Sequence, residues 1–189
     1  WKFHYPKLQK IFPKNLSNIS LDHFYKAINH IEPNYIRTEA DELHYHFHVM
    51  IRYEIEKSIM EGLIKTSDLR DYWNARYKEY LNVDVPSDLE GILQDIHWSH
   101  GSFGYFPTYS LGSFYAAQFY EKAKADITNL EKQIESGNSS ELLHWLRNNI
   151  HAHGRKYLPN ELCKQVTGSE LSLDPFMDYV KLKYSEIAI

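Results

Sequence analysis

The strongest constraint on the fold is a run of apolar residues at helical spacing between Tyr35 and Glu61. On an α-helix these residues share one broad stripe, which the two-residue period of a strand does not produce. The stripe consists of Ile36, Ala40, Leu43, Phe47, Met50, Ile51 and Ile55. Gly62 is predicted to end the helix, because glycine favours the position just after a helix C-terminus. The run therefore predicts one long helix.

Shorter helices are predicted on both sides of this run. Ser20 or Asp22 can cap a helix that Pro33 ends, because their side-chain oxygens accept hydrogen bonds from free backbone amides. Further helices are predicted at "SDLRDYWNARYKEYLNV" with Ser67 as the cap, at "SDLEGIL" after Pro86, from Pro107 to Gly137, and at "SSELLHWLRNNIHAH", "PNELCKQV" and "DPFMDYVKLKYSEI". No alternating strand pattern or internal repeat is present. The predicted fold is all-α, with residues 1–189 as a single helical region.

Composition and charge restrict the class of protein. The chain has 189 residues, 43% of them hydrophobic, which is enough for one domain with a buried core. Its formal net charge is -4 and basic residues are mixed with acidic ones, so neither nucleic acid nor a membrane surface is an expected partner. No apolar run approaches the roughly 18 residues that span a bilayer. The single cysteine, Cys163, cannot form an internal disulfide and favours the cytoplasm.

A line of polar residues borders the apolar stripe of the long predicted helix. Arg37, Asp41, His44, His48 and Arg52 are separated by three or four residues and fall within one narrow sector. One interpretation is an Arg–Asp pair with two solvated histidines, which contributes little to stability. The other is a cleft wall, in which an arginine grips a carboxylate with two parallel hydrogen bonds and Asp41 orients it.

The histidines do not predict a metal site. In "HYHFH", His44 and His48 share a helix face, but no glutamate occupies the base position of an H-E-x-x-H helix. The pairs in "HWSH" and "HAHG" are likewise unsupported as metal sites. No metal ligand is predicted in this chain.

The segment "GILQDIHWSHGSFGYFPTYSLG", residues 91–112, concentrates glycines, aromatic rings, two histidines and a Gln–Asp pair. Glycine permits close backbone approach, and proline prevents a helix or strand from running through the segment. Such a segment is predicted to hold a fixed irregular shape. It serves either as a rigid aromatic turn packed between helices or as a frame for chemistry or recognition.

Two motifs resemble signatures of a known family. "IRTEAD", residues 36–41, and "GILQDIHW", residues 91–98, resemble the Ile-Arg-x-x-Ala-Asp and Gly-x-x-Gln-Asp-x-His-Trp motifs of the carboxypeptidase Taq family of zinc-dependent thermostable carboxypeptidases. The flanking runs "RYEIEKSIMEG", "WSHGSFGYFPTYSLG" and "AHGRKYLPNEL" are also similar to that family. The resemblance extends over nearly the whole chain.

The resemblance implies a zinc metallocarboxypeptidase of which this chain is the C-terminal part. The family binds zinc through an H-E-x-x-H helix and a later glutamate, and neither motif occurs in these 189 residues. In the family both precede the Arg-containing helix, which agrees with the start at Trp1. We therefore expect zinc in the full-length protein and none in this chain, which alone is expected to be inactive. The implied partners are a peptide with a free C-terminus, the missing N-terminal part and a second copy in a homodimer.

The resemblance also implies roles for individual residues. Arg37 is expected to bind the substrate carboxylate, with Asp41 orienting it. His97 is expected to donate to the tetrahedral intermediate or the carboxylate, and Gln94 and Asp95 to position His97 or contact the substrate backbone. A phenol in the same segment completes the site. Tyr109 is the first choice for it and Tyr105 the second.

A non-enzymatic interpretation remains open beside the enzymatic one. A helical module of the same ancestry could serve dimerisation or peptide binding after losing the zinc-binding part. An H-E-x-x-H segment encoded in frame upstream supports the enzyme, and its absence supports the module.

Overall fold

The structure is a computed structural model that describes residues 1–187. Its regular secondary structure is helical and these residues contain no strand, so the all-α prediction is confirmed. In chain order the helices are α1 Tyr5–Ile11, α2 Pro13–Leu16, α3 Leu21–Ile28, α4 Tyr45–Met60, α5 Leu69–Leu81, α6 Pro107–Asp126, α7 Leu130–Glu135, α8 Ser140–Asn149, α9 Pro159–Thr167 and α10 Asp174–Ile187. Short 3-10 turns occur at Arg37–Glu39, Thr66–Asp68, Trp98–His100 and His151–His153. None of the helices described is both long enough and apolar enough to serve as a membrane span.

The chain divides into two compact units where the sequence analysis expected a single region. The terminal unit combines Trp1–Asn29 with the part from Ser113 onward, and the central unit is His30–Gly112. In the terminal unit Ala123, Leu130 and Trp145 form a buried cluster, and the indole of Trp145 donates to Asp126 Oδ2 at 2.9 Å. Each unit thus has a core of its own.

The core of the central unit lies between α4 and α5. Ile51 and Ile55 of α4 pack against Trp73, Tyr77 and Leu81 of α5, and all five side chains are buried. Burial of each large apolar side chain contributes about 1.5–3 kcal/mol. The apolar stripe predicted from the sequence is therefore the face that holds this unit together.

Helix α4 begins ten residues later than the spacing predicts. Ile36 and Ala40 have extended backbones, and the side chain of Asp41 accepts hydrogen bonds from the backbone nitrogens of Leu43 and His44. Such local bonding by aspartate competes with the helical hydrogen-bond ladder and fixes a helix start. Arg37 and Asp41 are consequently not on the helix. Of the five residues of the predicted polar line, only His48 and Arg52 lie on α4, so the prediction of one continuous line is wrong.

The predicted caps and stops of three other helix ends can be compared with the structure. Ser20 caps α3 by accepting from the His23 amide at 3.1 Å, and Gly62 follows α4 with a positive φ of 69°, so both are confirmed. Ser67 does not cap α5, because its hydroxyl donates to the neighbouring Asp68 side chain.

Three further helix predictions differ from the structure. Helix α3 ends at Ile28, five residues before Pro33. The segment after Pro86 forms turns instead of a short helix, and the helix predicted to reach Gly137 breaks at Asn129, which is left-handed with φ 58°.

Candidate functional site

The centre of the site is Asp95, whose carboxylate is shared by two arginines. Asp95 Oδ1 accepts from Arg37 Nη2 at 2.6 Å and Nε at 3.0 Å. Asp95 Oδ2 accepts from Arg52 Nε at 2.7 Å and lies 2.6 Å from Arg52 Nη2. Burial alone raises the pKa of Asp95, but the hydrogen bonds and charges of the two guanidinium groups outweigh it and hold that pKa below its ordinary value. The three side chains therefore carry two positive charges and one negative charge.

Arg52 is completely buried, and all three nitrogens of its guanidinium donate to acceptors within the protein. Nη1 donates to the His48 carbonyl oxygen at 2.8 Å and to the Tyr77 hydroxyl at 2.9 Å. Nη2 donates to Gln94 Oε1 at 2.9 Å, besides its ion pair with Asp95. Because Arg52 is completely buried, it is not accessible to a ligand. Its role is to hold Asp95 in place.

Arg37 keeps two N–H groups that have no acceptor among the residues described. Nε and Nη2 each donate once to Asp95, and Nη1 donates to the Tyr45 hydroxyl at 3.0 Å. The Arg37 side chain retains 9% exposure, against 0% for Arg52. Burial lowers the pKa of Arg37, but Asp95 raises it by more, so the guanidinium stays charged. The excess positive charge of the cluster is therefore accessible through Arg37.

Gln94 fixes the backbone of Arg37 in place. Its Oε1 accepts from the Arg37 backbone nitrogen at 2.9 Å and from Arg52 Nη2. Its Nε2 donates to the carbonyl oxygens of Tyr35 and Glu90 at 2.9 and 2.8 Å. Both amide hydrogens are thus used within the protein. Gln94 joins the loop before α4 to the loop after α5 and positions Arg37.

Aromatic rings cover the two arginines. Arg37 Cζ lies 5.5 Å from the centre of the Phe106 ring and 5.3 Å from that of Tyr109. Arg52 Cζ lies 5.2 Å from the same Phe106 ring and 4.6 Å from Trp73. Guanidinium groups over ring faces gain about 0.5–2 kcal/mol each, and the rings also exclude water. Phe106, which the sequence analysis did not single out, is the common floor of the site.

His97 and Tyr109 form a hydrogen-bonded pair on this floor. His97 Nε2 lies 3.0 Å from the Tyr109 hydroxyl, and the imidazole centre is 4.3 Å from that of Phe106. His97 Nδ1 is buried and has no hydrogen-bond partner within residues 1–187. Burial lowers the pKa of His97 and raises the pKa of Tyr109. At neutral pH the pair is a neutral imidazole beside a protonated phenol, which suits hydrogen-bond donation or proton transfer.

Tyr105 is half exposed at the edge of the same group. Its ring centre lies 5.8 Å from that of His97 and 5.4 Å from that of Tyr109. The structure therefore brings six of the seven predicted site residues together: Arg37, Gln94, Asp95, His97, Tyr105 and Tyr109.

Asp41, the seventh, engages other partners. Its Oδ2 accepts from His44 Nδ1 at 2.7 Å and from the Glu32 backbone nitrogen at 3.0 Å, while Oδ1 accepts from the backbone nitrogens of Leu43 and His44 just before α4. Burial raises the pKa of Asp41, but these hydrogen bonds, those from His44 above all, hold it below its ordinary value. The expected Arg37–Asp41 pair is thus corrected, because Asp95 is the carboxylate that orients Arg37.

Arg52 and Tyr45 are the site residues that the sequence analysis missed. Arg52 stood on the predicted polar line, four residues after His48, and that spacing was the available signal. Nothing in the sequence pairs Tyr45 with Arg37, because their contact depends on the irregular backbone that separates them.

The three histidines of "HYHFH" have three different partners. His44 pairs with Asp41, His46 Nδ1 lies 2.9 Å from Ser110 Oγ, and His48 Nδ1 lies 2.9 Å from the Tyr77 hydroxyl. Burial and the charges of Arg52 and Arg37 lower the pKa of His48 to about 3. Across residues 1–187 no three His, Cys, Asp or Glu side chains form a group that could hold a metal ion.

Comparisons with known proteins agree on one family. The family model described as carboxypeptidase Taq (M32) metallopeptidase matches residues 1–184. The chain is 43% identical over 187 residues to carboxypeptidase 1 of Bacillus subtilis and 39% identical over 187 residues to thermostable carboxypeptidase 1 of Thermus thermophilus. Each alignment covers 99% of this chain, but the chain spans only 37% and 36% of the lengths of these relatives.

Solved structures show the same relationship. The crystal structure of the M32 carboxypeptidase from Deinococcus radiodurans superposes with a TM-score of 0.95 at 37% identity, covering 99% of this chain and 38% of that one. A Pyrococcus furiosus carboxypeptidase superposes with a TM-score of 0.93 at 38% identity, covering 97% of this chain and 37% of that one.

Proposed function

The chain belongs to the carboxypeptidase Taq (M32) metallopeptidase family, and from this we propose that the full-length protein is a metallocarboxypeptidase. Such an enzyme hydrolyses the last peptide bond of a substrate and releases the C-terminal amino acid. Its substrates have a free carboxylate next to the bond that is cleaved. In this proposal the present chain supplies the groups that bind that carboxylate.

The charge imbalance around Asp95 carries the proposal. Arg37 and Arg52 share one carboxylate, so the cluster has an excess of one positive charge, and Arg52 cannot reach a ligand. Arg37 still has two N–H groups to donate, and a carboxylate accepts two parallel N–H bonds from one guanidinium. Binding of the substrate carboxylate neutralises the cluster. Arg37 is therefore the proposed substrate-binding residue.

His97 and Tyr109 are the proposed catalytic residues of this chain. A neutral donor beside the scissile carbonyl stabilises negative charge that develops on its oxygen in the transition state. The short His97–Tyr109 contact, together with the orphaned His97 Nδ1, supports this assignment. Tyr105 lines the same site as a substrate contact. Gln94 and Asp95 act by positioning Arg37.

The family description implies a metal, which we propose to be zinc. The donors within residues 1–187 do not fit a metal ion, so no catalytic step of these residues is assigned through it. In the proposal zinc is bound by other parts of the full-length protein. This chain alone is accordingly proposed to be inactive.

The cellular setting of the proposal rests on surface and cysteine chemistry. A location in the cytoplasm is supported by the single free thiol of Cys163, which is buried. A homodimer is supported by exposed apolar side chains, including Leu63, Leu89 and Ile96, each more than two-thirds exposed.

Replacement of Arg37 in the full-length protein tests the proposed function. A hydrogen bond to a charged group contributes about 1.5–3 kcal/mol, or roughly tenfold to 150-fold in rate. Arg37→Ala is therefore expected to lower kcat/KM by at least that factor for peptides with a free C-terminus. Arg37→Lys is expected to do so as well, because lysine lacks the planar pair of donors. The measurement is release of the C-terminal amino acid from acid peptides and of the amino acid amide from the paired amide peptides.

The matched control is Arg70→Ala, which removes a largely exposed arginine of the same unit and should leave both rates unchanged. If Arg37→Ala slows acid and amide substrates equally while the melting temperature stays at the wild-type value, Arg37 does not bind the carboxylate. If the wild-type protein releases no amino acid, the peptidase proposal itself is wrong.

A further inference from the structure

Tyr45 is the first residue of α4 and touches Arg37. Its hydroxyl oxygen lies 3.0 Å from Arg37 Nη1, and its backbone nitrogen donates to the Asp41 carbonyl oxygen at 2.9 Å. The ring stands perpendicular to that of Tyr109, with the ring centres 6.3 Å apart. The phenol is therefore held on the accessible arginine and beside the proposed catalytic pair.

The direction of the Tyr45 proton follows from the chemistry of its partner. A guanidinium can only donate, so the Tyr45 oxygen accepts from Arg37 and the Tyr45 O–H points elsewhere. None of the residues described accepts that hydrogen. Tyr45 is only partly buried, and the Arg37 side chain that its hydroxyl contacts keeps 9% exposure.

Tyr77 provides an internal comparison. It also accepts a hydrogen bond from an arginine, Arg52 Nη1 at 2.9 Å, but it is completely buried and its hydroxyl also lies 2.9 Å from His48 Nδ1. The Tyr77 hydroxyl thus has two partners inside the protein. Both phenols contact an arginine, but the Tyr45 hydroxyl has Arg37 as its single hydrogen-bond partner among the residues described.

We propose that Tyr45 is a second substrate-binding residue, whose hydroxyl donates to the terminal carboxylate that Arg37 binds. The inference rests on the proposed function and extends it. Two N–H groups of Arg37 and one O–H of Tyr45 make three adjacent donors. A carboxylate, with two oxygens and about four acceptor sites, satisfies all three. An amide has one acceptor oxygen and brings N–H donors of its own, so the same group of donors rejects it.

Tyr45→Phe in the full-length protein tests the proposal with N-acetylated peptides that end either in a free carboxylate or in an amide. Loss of a hydrogen bond to a charged group is expected to lower kcat/KM for the acid about tenfold to a hundredfold, mainly through KM. The amide rate should stay unchanged. Tyr53→Phe is the matched control, because Tyr53 is an exposed tyrosine on the same helix and should behave as wild type.

A second variant separates substrate binding from a role in which Tyr45 only holds Arg37. In 3-fluorotyrosine the hydroxyl is a stronger donor and a weaker acceptor. Placed at position 45 and assayed where the phenol is protonated, it should lower KM for the acid substrate. An unchanged or raised KM would show that the oxygen matters only as an acceptor and would overturn the proposal.

The outcomes distinguish this inference from the proposed function. If wild type prefers acids over amides and Tyr45→Phe retains the wild-type kcat/KM, the inference on Tyr45 fails and the peptidase assignment stands. If wild type releases no C-terminal amino acid from either peptide, the proposed function fails, and with it the inference.

Discussion

Asp95→Asn is expected to destabilise the central unit strongly, because it removes the one negative charge that two arginines share. The change conserves size and shape. The amide has a single acceptor oxygen, so its NH2 group must face the N–H groups of either Arg37 or Arg52. Two sets of donors then oppose each other, and two guanidinium groups lie close together without a counter-charge.

The magnitude follows from burial. The side chains of Arg37, Asp95 and Arg52 are 9%, 11% and 0% exposed, so the group belongs with buried ion pairs, whose disruption costs about 3–5 kcal/mol. Exposed pairs contribute about 0–1 kcal/mol. Arg52 cannot reach water when Asp95 is neutral. We therefore expect the free energy of unfolding to fall by about 3–5 kcal/mol for Asp95→Asn.

The assay is denaturant unfolding of the full-length protein, followed through tryptophan fluorescence, since Trp73 lies in this core. Asp84→Asn is the matched control. Asp84 pairs with Lys78 at 2.9 Å but is 86% exposed, so its loss should be barely measurable.

The pH dependence gives an independent check. The folded-state pKa of Asp95 lies below its ordinary value of 3.8, so its stabilising effect is fully present above pH 3.8. That effect is lost as the pH falls through the lower folded-state pKa. The stability difference between wild type and Asp95→Asn should therefore shrink below about pH 4. A loss no larger than that of Asp84→Asn, or a difference that grows on acidification, would refute the shared-carboxylate argument.

Three further substitutions test the backbone around the site. In Gly91→Ala the new Cβ would lie 2.8 Å from Val85 Cγ1 and 2.9 Å from the Ser87 carbonyl oxygen, so thermal unfolding should show a loss of about 1–3 kcal/mol. Gly112→Ala, with open space around it in α6, should be neutral or slightly stabilising. Asp41→Ala should cost about 0.5–2 kcal/mol, because the Leu43 and His44 backbone nitrogens before α4 lose their side-chain acceptor, and should leave the acid-to-amide rate ratio unchanged. A changed ratio would show that Asp41 contributes to substrate binding.

The fold class follows from the sequence because helical spacing is a local property. The stripe containing Ile51 and Ile55 packs against α5. Ser20 caps α3 and Gly62 follows the end of α4, as their residue types predict. Local chemistry also explains a failure. The spacing extends back to Tyr35, yet the side chain of Asp41 holds the backbone in another conformation and delays the helix.

The members of the site were predictable only in part. Motif resemblance selected Arg37, Gln94, Asp95, His97, Tyr105 and Tyr109. It could not show which carboxylate orients Arg37, because Asp95 is 58 residues away in the chain and Asp41 only four. Pairing across such a separation depends on how the loops pack, and no periodicity encodes it.

The division of work between the two arginines depends on the same packing. Both arginines pair with Asp95, and residue type alone does not distinguish their roles. Arg52 is fixed on α4, where the His48 carbonyl oxygen, Tyr77 and Gln94 take up its remaining donors. Arg37 lies in a 3-10 turn before the helix, where fewer acceptors surround it. The break in the predicted helix therefore coincides with the guanidinium that keeps two N–H groups without an acceptor among the residues described.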